Sequence, residues 1–415
     1  MNSHWQGEIM RRARQVRSTW RQEGPHWVAD RVRTTLADRI RPKIAVSPVR
    51  PADVVAADLH HPPRVFVPPL REGEPVALNW VMSPPSRGSG GHTTLFRLIH
   101  HLEANGYRNR VYFYDPYRGD HRYYEEIVHD AYGFAGLVAP VEGGMADAHG
   151  VVATTWSTAY PVFNARSAGK RFYLVQDFEP MFHATSSDSI LAENTYRMPF
   201  HAITAGRWLA ERLRGDYGME ADHFDFSCDT ARYRRIGDRA RSGIAFYARP
   251  NATRRGFELG LMALELFARR RPDITIHLYG DTIGRLPFPF VDHGLVTPDA
   301  LNTIYNQCFA GLSLSLTNVS LVPLEMLAAG CIPVMNDALH NRMVLGNPHI
   351  RYAPPSPHEL AAELEAVVAV PDFASLSRQA AASVEGLTWS DAGAKVDAII
   401  RRSLAASQGA SPSPG

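Results

Sequence analysis

Short apolar runs alternate with amphipathic helical patterns along the chain from about residue 75 onward. The runs "PVALNWVMS" and "RVYFYDP" flank the segment "TTLFRLIHHLEANGY". In that segment Leu95, Leu98, Ile99 and Leu102 recur at helical spacing and form one apolar face. A strand, a helix and a strand in this order are typical of a parallel sheet covered by helices. The pattern therefore predicts a β-α-β unit.

The alternation continues in two series. The first contains the strand patterns "GVVATTW", "RFYLVQDF" and "FHAITAG" and the helix "RWLAERLRGDYG", closed by Gly218. The second contains the strands "GIAFYARP", "ITIHLYGD", "AGLSLSL" and "CIPVMN" and the helix "FELGLMALELFARRRP". The polar, Arg-rich segment "FDFSCDTARYRRIGDRARS" lies between them. We therefore expect two α/β halves joined by this connector.

The first 74 residues have a different pattern. Near the start, apolar residues recur at spacings of three and four while arginines occupy the other side, which predicts a basic amphipathic helix. The apolar positions are Trp5, Ile9, Ala13, Val16 and Trp20. Such a helix suits either an anionic membrane surface or the body of the protein. A Pro-rich connector follows from Pro42 to Pro75, and the final "ASQGASPSPG" is predicted to be disordered.

Length and composition set the broad class of the protein. The 415 residues exceed what a single core usually organises, and 45% hydrophobic with 21% charged residues favours packed globular domains. A net charge of +2 argues against a nucleic-acid partner bound through overall charge. Neither a membrane-spanning run nor a signal-peptide core is visible. We expect a cytoplasmic protein, peripheral at the membrane if the basic helix docks there.

A glycine-rich segment lies between the first strand pattern and its helix. In "SRGSGGHTT", Gly88, Gly90 and Gly91 would let backbone N–H groups approach a phosphate, although a tight turn also explains them. A dinucleotide-binding pattern needs another glycine at Thr93, and Asp115, the candidate ribose ligand, comes 27 residues after Gly88 rather than about 20. An NAD-dependent oxidoreductase is therefore only an alternative.

The usual motifs of metal-bound phosphate chemistry and serine hydrolysis do not occur. The chain has no D-x-D pair, P-loop, H-E-x-x-H or G-x-S-x-G. Its three cysteines, Cys228, Cys308 and Cys331, are too far apart in sequence for a metal or redox motif, which favours a reducing compartment. We therefore expect neither a metal nor another cofactor.

The second half carries the most specific patterns. They are "FYARPNATRRGFELGLMALELF", "LYGD", "HGLVTPDALNTIYNQCFAGLSLSL", "VPLEMLAAGCIPV" and the terminal "LTWSDAGAKVDAIIRRSL". With "CDTARY" in the connector, they resemble glycosyltransferases of the GT-B fold, family 4, over about residues 75–405. The resemblance implies two Rossmann-like domains facing each other across a cleft, and transfer of a sugar from a nucleotide-diphosphate donor to a saccharide or lipid-linked saccharide acceptor.

A narrower resemblance concerns the donor. The stretches "FYLVQDFEPMF", "LAENTYRMPFHAITAGRWLAE" and "YGMEADHFDFSCD" are similar to bacterial rhamnosyltransferases that use dTDP-L-rhamnose to build polysaccharides. The divisions that follow are 1–74 for the extension and connector, 75–232 for the acceptor domain, 233–388 for the nucleotide-sugar domain, 389–405 for a helix crossing back, and 406–415 for the tail.

The resemblance also implies a set of site residues. Arg249 with Arg254 or Arg255 would stabilise the leaving diphosphate, because without a metal the available means are arginines and helix N-terminal amides. Glu325 would accept both ribose hydroxyls, with a helix-capping acid as the alternative. The other implied donor-binding positions are Gly90, Gly91, Tyr279, Gly280, Val296, Ser320, Leu321 and Val322.

Two departures from the family pattern affect the expected chemistry. The family usually has two acids eight residues apart; Glu325 matches the second, whereas Thr317 stands at the first. An arginine replaces the usual lysine before Gly256, which changes a point charge into a forked donor. A non-catalytic nucleotide-sugar-binding subunit is therefore a second alternative. As the resemblance implies, an active enzyme would retain the anomeric configuration, with the departing phosphate assisting deprotonation of the acceptor.

Four further polar residues are weaker candidates. Asp177, which we include among the catalytic residues, and Glu179 follow a strand pattern and would position the acceptor or the sugar hydroxyls; surface or capping carboxylates explain them equally well. His92 and His201 are possible general bases, although a single histidine is more often structural.

Overall fold

The computed structural model describes residues 47–237 and 240–409, together with Val32, Arg33 and Leu36. The chain divides into two compact units, Met1–Pro48 and Val49–Gly415. The basic helix predicted between Trp5 and Trp20 lies outside the described residues. The architecture below is that of the second unit.

Seven strands of the described chain form a first, wholly parallel sheet. They are β1 (Val76–Met82), β2 (Tyr107–Phe113), β3 (Leu137–Pro140), β4 (Gly150–Ala153), β5 (Lys170–Val175), β6 (His201–Ala205) and β7 (Glu220–Phe224). Their spatial order is β3-β2-β1-β4-β5-β6-β7. All residues of β1, β4 and β6 are buried, because helices cover both faces of a parallel sheet.

The helices of this half begin and end at recognisable signals. They are α1 (Pro51–Ala56), α2 (Gly90–Ala104), α3 (His121–Tyr132), α4 (Trp156–Asn164), α5 (Ser187–Asn194) and α6 (Arg207–Tyr217). The Ser89 side chain caps α2 by accepting the N–H of His92. Gly133 and Gly218 end α3 and α6 in the left-handed conformation. The sequence signal at Gly218 therefore predicted that helix end correctly.

Six strands of the described chain form a second parallel sheet. They are β8 (Gly243–Tyr247), β9 (Thr275–Tyr279), β10 (Val291–Asp292), β11 (Cys308–Leu312), β12 (Ile332–Asn336) and β13 (Arg351–Ala353). Their order is β10-β9-β8-β11-β12-β13. The helices are α7 (Phe257–Arg270), α8 (Pro298–Gln307), α9 (Val322–Ala328), α10 (Leu339–Leu345), α11 (Pro357–Val368), α12 (Phe373–Ala382) and α13 (Trp389–Gly409).

Two predicted boundaries in this half differ from the structure. The strand predicted from "AGLSLSL" ends at Leu312 rather than Leu316, because the chain then turns and the Ser315 N–H bonds the Asn336 side chain. Helix α13 extends to Gly409, so residues 406–409 are helical rather than disordered. Among the described helices, none combines the length and the apolar character needed to cross a bilayer.

Both sheets have the same topological feature. The strand order reverses between β1 and β4 in the first sheet and between β8 and β11 in the second. In open parallel sheets, ligands bind outside the carboxyl ends of the strands at this point.

Helix α13 packs against α2 and β7 of the first half, where the Tyr107 hydroxyl donates to Asp397 at 2.5 Å. The last helix therefore returns to the first half.

Candidate functional site

The carboxyl ends of the two sheets are joined at Asp177, two residues after β5. Its Oδ2 lies 3.3 Å from Nε of Arg254 and 3.7 Å from Nη2 of Arg255, both in the turn after β8. Its Oδ1 accepts the backbone N–H of Asn318, from the loop after β11, at 2.8 Å. The Asp177 carboxylate is thus buried among protein donors rather than open to solvent. It ties the first half of the chain to the second.

Asn318 strengthens the same junction and was not identified from the sequence. It is fully buried, and its Nδ2 donates to the carbonyl oxygens of Gln176 and Ala205, each at 2.9 Å. These carbonyls end or follow strands of the first sheet, and a buried carbonyl without a partner is costly. The only sequence signal was one asparagine in the segment "TNVSLVP" before α9.

The adjacent arginines Arg254 and Arg255 have different environments. The Arg255 side chain is 11% exposed, and its Nη1 donates to Ser315 Oγ and to the Asn318 carbonyl, each at 2.8 Å. Burial lowers the pKa of this guanidinium. The Arg254 side chain is 32% exposed and its guanidinium lies over the Phe182 ring, 4.4 Å from the centre. The two side chains therefore point to different surroundings.

Arg249 adds a third positive charge after β8. It is partly exposed, and its guanidinium carbon lies 5.9 Å from the centre of the Tyr247 ring. Within residues 47–237 and 240–409 it forms no ion pair. Over the same ranges, no three histidine, cysteine or acidic side chains are grouped to hold a metal ion. Arg249, Arg254 and Arg255 therefore place three guanidinium groups after β8.

The glycine-rich loop lies at the carboxyl end of β1. Gly88 has a φ of +75°, which favours glycine, and Gly90 and Gly91 open helix α2. A side chain at Gly90 would meet nothing within 4 Å, so its backbone borders open space. The Gln176 Nε2 donates to the Gly91 carbonyl at 3.4 Å. The loop therefore lies beside the segment that carries Asp177.

Glu325 lies in the first turn of α9, as its sequence position predicted. It is partly buried, and the groups that act on its charge come from elsewhere in the chain: Arg97, Asp229 and Tyr233. Burial raises the pKa of Glu325 to about 7; the Arg97 charge and a hydrogen bond from Tyr233 oppose this rise, and the Asp229 charge adds to it. Arg97 is itself 3.3 Å from Asp229. The carboxylate is thus poised to change charge near neutral pH.

The loop before α9 offers backbone donors next to Glu325. The N–H groups of Ser320, Leu321 and Val322 donate no hydrogen bond to any described residue. Thr317, at the position of the expected first acid, is 2% exposed, and its hydroxyl has no partner within the described chain. This part of the site is therefore polar and carries no negative charge of its own.

The remaining donor-binding candidates border the end of β9. Tyr279 is 1% exposed and its hydroxyl lies 2.7 Å from that of Tyr305, so a ligand would meet only its main chain. Gly280 has a φ of +111°, and an added Cβ would lie 2.7 Å from the Tyr247 ring. Val296 is partly buried, directly before the residue that caps α8.

Glu179 is a buried acid close to Asp177. It is 6% exposed, and its Oε2 accepts the Tyr173 hydroxyl at 2.9 Å and the backbone N–H of Trp156. Burial raises its pKa to about 8, although both hydrogen bonds favour the ionised form. Glu179 is therefore mainly protonated at neutral pH and is enclosed by the first half of the chain.

The two candidate histidines are both engaged. Around the ring of His92, Nδ1 lies 3.0 Å from Ser89 Oγ and Nε2 lies 3.2 Å from the Ser83 carbonyl, and burial lowers its pKa. His201 begins β6, so it lies at the amino edge of the sheet, where its Nδ1 is 2.6 Å from Ser403 Oγ. The position of His201 therefore favours a structural role over that of a general base, because the candidate site lies at the carboxyl edge of the sheet.

Asp115 organises its own loop. Its carboxylate accepts the N–H groups of Tyr117 and Gly119 at 2.8 and 2.6 Å and the Tyr124 hydroxyl at 2.8 Å. These bonds, with the Arg50 charge, lower the pKa of Asp115 although burial alone would raise it. A carboxylate with three local donors has little remaining capacity for a ribose. This removes one of the two features that suggested a dinucleotide site.

Comparison with known proteins agrees with this architecture. Residues 242–365 match the family described as "WsaF, C-terminal domain". The O-antigen biosynthesis protein RfbC of Myxococcus xanthus is 34% identical over 262 residues, which are 60% of this chain and 20% of RfbC. The chain therefore spans a fifth of the length of that relative.

Two solved structures share the fold at low sequence identity. Anabaena Alr3699/HepE, crystallised with UDP, superposes with a TM-score of 0.59 at 14% identity and covers 79% of this chain and all of its own. WaaG, a glycosyltransferase involved in lipopolysaccharide biosynthesis, gives a TM-score of 0.55 at 12% identity, covering 78% of this chain and 99% of its own. At such identity the likeness concerns architecture alone. The fold predicted from the sequence is confirmed: the chain has the two parallel α/β domains of the GT-B fold.

Proposed function

We propose that this protein transfers a sugar, L-rhamnose from dTDP-L-rhamnose, to a growing bacterial polysaccharide or glycolipid. The proposal rests first on one observation. Arg249, Arg254 and Arg255 all follow β8 at the point where the strand order of the second sheet reverses. That is where open parallel sheets bind nucleotides. A cluster of arginines there suits the diphosphate of an activated sugar.

Glu325 supplies the second part of the donor site. Its carboxylate would accept hydrogen bonds from both ribose hydroxyls, while the N–H groups of the preceding loop face the phosphates. Because burial raises its pKa to about 7, a bound ribose should favour the ionised form by donating to it. We propose that the base packs beside Gly280 and Val296, as the family resemblance implies.

The arginines would act on the bond that breaks. During transfer, the bond between the anomeric carbon and the diphosphate oxygen is lost, and negative charge develops on that oxygen. The acceptor hydroxyl forms the new bond to the anomeric carbon and passes its proton to the departing phosphate. Guanidinium groups fixed before the reaction stabilise the developing charge without reorganising. Retention of the anomeric configuration is part of the proposal and follows from the family resemblance.

The name of one relative supports the acceptor class. RfbC, which is 34% identical over the matched residues, is named for O-antigen biosynthesis. A lipid-linked acceptor would bring the reaction to the cytoplasmic leaflet, where the basic helix predicted between Trp5 and Trp20 would bind anionic lipid.

A ligand panel tests the proposed donor. Thermal shifts would be measured with dTDP-L-rhamnose, UDP-glucose, GDP-mannose and NAD, followed by release of free nucleotide diphosphate in the presence of oligosaccharide acceptors. We expect dTDP-L-rhamnose to give the largest shift and to be consumed. A larger shift with NAD would contradict the proposal as a whole, whereas a larger shift with another nucleotide sugar would change only the donor.

A non-catalytic nucleotide-sugar-binding subunit is the second candidate. The observation that favours it is Thr317, a neutral residue at the position of an expected acid. The two functions differ in one measurable respect. A binding subunit would show the thermal shift with dTDP-L-rhamnose but release no dTDP with any acceptor that the proposed enzyme should use.

A further inference from the structure

Arg254 and Arg255 are adjacent in sequence, but their side chains have different amounts of unused hydrogen-bonding capacity. Arg255 Nη1 already donates to Ser315 Oγ and to the Asn318 carbonyl. The guanidinium of Arg254 donates no hydrogen bond to the described part of the chain. Its contacts are the Phe182 ring and the buried Asp177 carboxylate, whose Oδ2 lies 3.3 Å from its Nε.

Moving Arg255 toward a ligand would break two buried hydrogen bonds. They are the bonds that its Nη1 donates to the Ser315 hydroxyl and to the Asn318 carbonyl, and both of these residues are buried. The segment between them is also fixed by the N–H of Leu316, which donates to the Arg254 carbonyl at 2.9 Å. Arg255 is therefore part of the support of this segment.

Asp177 completes that support from the other half of the molecule. It accepts the Asn318 N–H and lies within 3.7 Å of Arg255. The segment from Ser315 to Asn318 leads directly into the loop that precedes Glu325. The position of the Ser315–Asn318 segment therefore depends on Asp177 of the first half, although the segment belongs to the second half.

We infer that the two arginines have separate tasks: Arg254 contacts the diphosphate of the donor, whereas Arg255 and Asp177 are positioning residues that hold the Ser315–Asn318 segment. This inference rests on the proposed function, since it assigns roles within the same donor site. Asp177 is compatible with a nearby diphosphate because its two oxygens already accept or face protein donors. Arg249 and Arg254 then remain to meet the phosphate charges.

The test compares a nucleoside diphosphate with its monophosphate, because their affinity ratio measures the contact to the second phosphate. Affinities of dTDP and dTMP would be measured by calorimetry for the full chain and for Arg254→Gln, Arg255→Gln and Asp177→Asn. Arg269→Gln is the matched control, since it removes the same charge from an exposed arginine of the same domain that pairs with Glu265. Melting temperatures would be recorded for every variant.

Arg254→Gln should weaken dTDP binding at least about tenfold, the scale of one charge-assisted hydrogen bond, and leave dTMP binding nearly unchanged. Arg255→Gln and Asp177→Asn should lower the melting temperature and weaken dTDP and dTMP by similar factors. The control should match the wild-type protein in all three quantities.

Three results would overturn the inference. One is that Arg254→Gln keeps the wild-type ratio of dTDP affinity to dTMP affinity. Another is that Arg255→Gln loses affinity for dTDP but not for dTMP, at an unchanged melting temperature. The third is that Asp177→Asn binds dTDP more tightly than the wild type, because this would show that Asp177 competes with the diphosphate. If Arg255→Gln does not fold, the result for Asp177→Asn decides whether the positioning role is correct. If the wild-type chain binds none of dTDP, UDP and GDP, the proposed function fails and the inference fails with it.

Discussion

Replacing Glu179 with Gln should make the protein progressively more stable than the wild type as the pH rises. Glu179 is 6% exposed, and burial is the largest influence on its carboxyl group. The Tyr173 hydroxyl and the Trp156 N–H both donate to Oε2, and the glutamine oxygen can accept the same two hydrogen bonds. The substitution therefore removes the ionisation while it keeps the size and the hydrogen-bond acceptor.

The magnitude follows from the pKa of Glu179, which is about 8 in the folded protein against an ordinary value of 4.5. Below pH 4.5 both the folded and the unfolded chain hold the proton, so the full contribution to stability is present. As the pH rises toward 8, the unfolded chain loses this proton first, and the wild type loses about 1.4 kcal/mol per pH unit. The complete loss is on the order of 5 kcal/mol and is reached near pH 8.

Urea unfolding between pH 5 and pH 9 measures this effect as the difference in unfolding free energy between Glu179→Gln and the wild type. The difference should grow in favour of the variant up to about pH 8 and then level off. The control is Glu193→Gln, which removes a partly exposed carboxylate of α5 that pairs with Arg197. A difference that stays constant from pH 5 to pH 8 would show that Glu179 is already ionised at pH 5.

Three further predictions concern the site and its support. Arg249→Ala should lower turnover at least about a hundredfold, as expected for loss of a transition-state donor, whereas Glu325→Ala should act on donor affinity; unchanged kinetics in both variants would refute the assignment. Donor affinity of the wild type should rise with pH through about 7 and this rise should vanish in Glu325→Gln, as measured by calorimetry. Asn318→Ala should lower the unfolding free energy by about 2–4 kcal/mol in a urea titration, because two carbonyl groups lose their buried donor.

Several elements could be predicted because the information is local. The run around Trp80 is apolar at every position except Asn79, as expected for a strand buried on both faces, and Gly218 ends its helix where the left-handed conformation favours glycine. The first-turn position of Glu325 followed from the pattern of its short helix. Each of these features depends on residues only a few positions apart.

The roles of individual polar side chains could not be predicted in this way. Positions 254 and 255 are both arginine, so the sequence does not distinguish their roles. Only the packing of the Ser315 segment distinguishes them. Tyr279 looked like a ligand contact, yet its hydroxyl meets Tyr305 in the core. Such differences depend on which way a side chain points, and periodicity does not contain that information.

The sequence by itself determined the two parallel α/β halves, and it predicts a connector between them and an edge of the second sheet at which an anion would bind. These follow from the period of apolar residues and from glycines and arginines placed after strands. Only the tertiary structure decided that Asp177 and Asn318 join the halves, across 141 positions of sequence. It also decided that burial raises the pKa of Glu179 to about 8. The physical reason is that burial and hydrogen bonding depend on neighbours in space, and those neighbours come from distant parts of the chain.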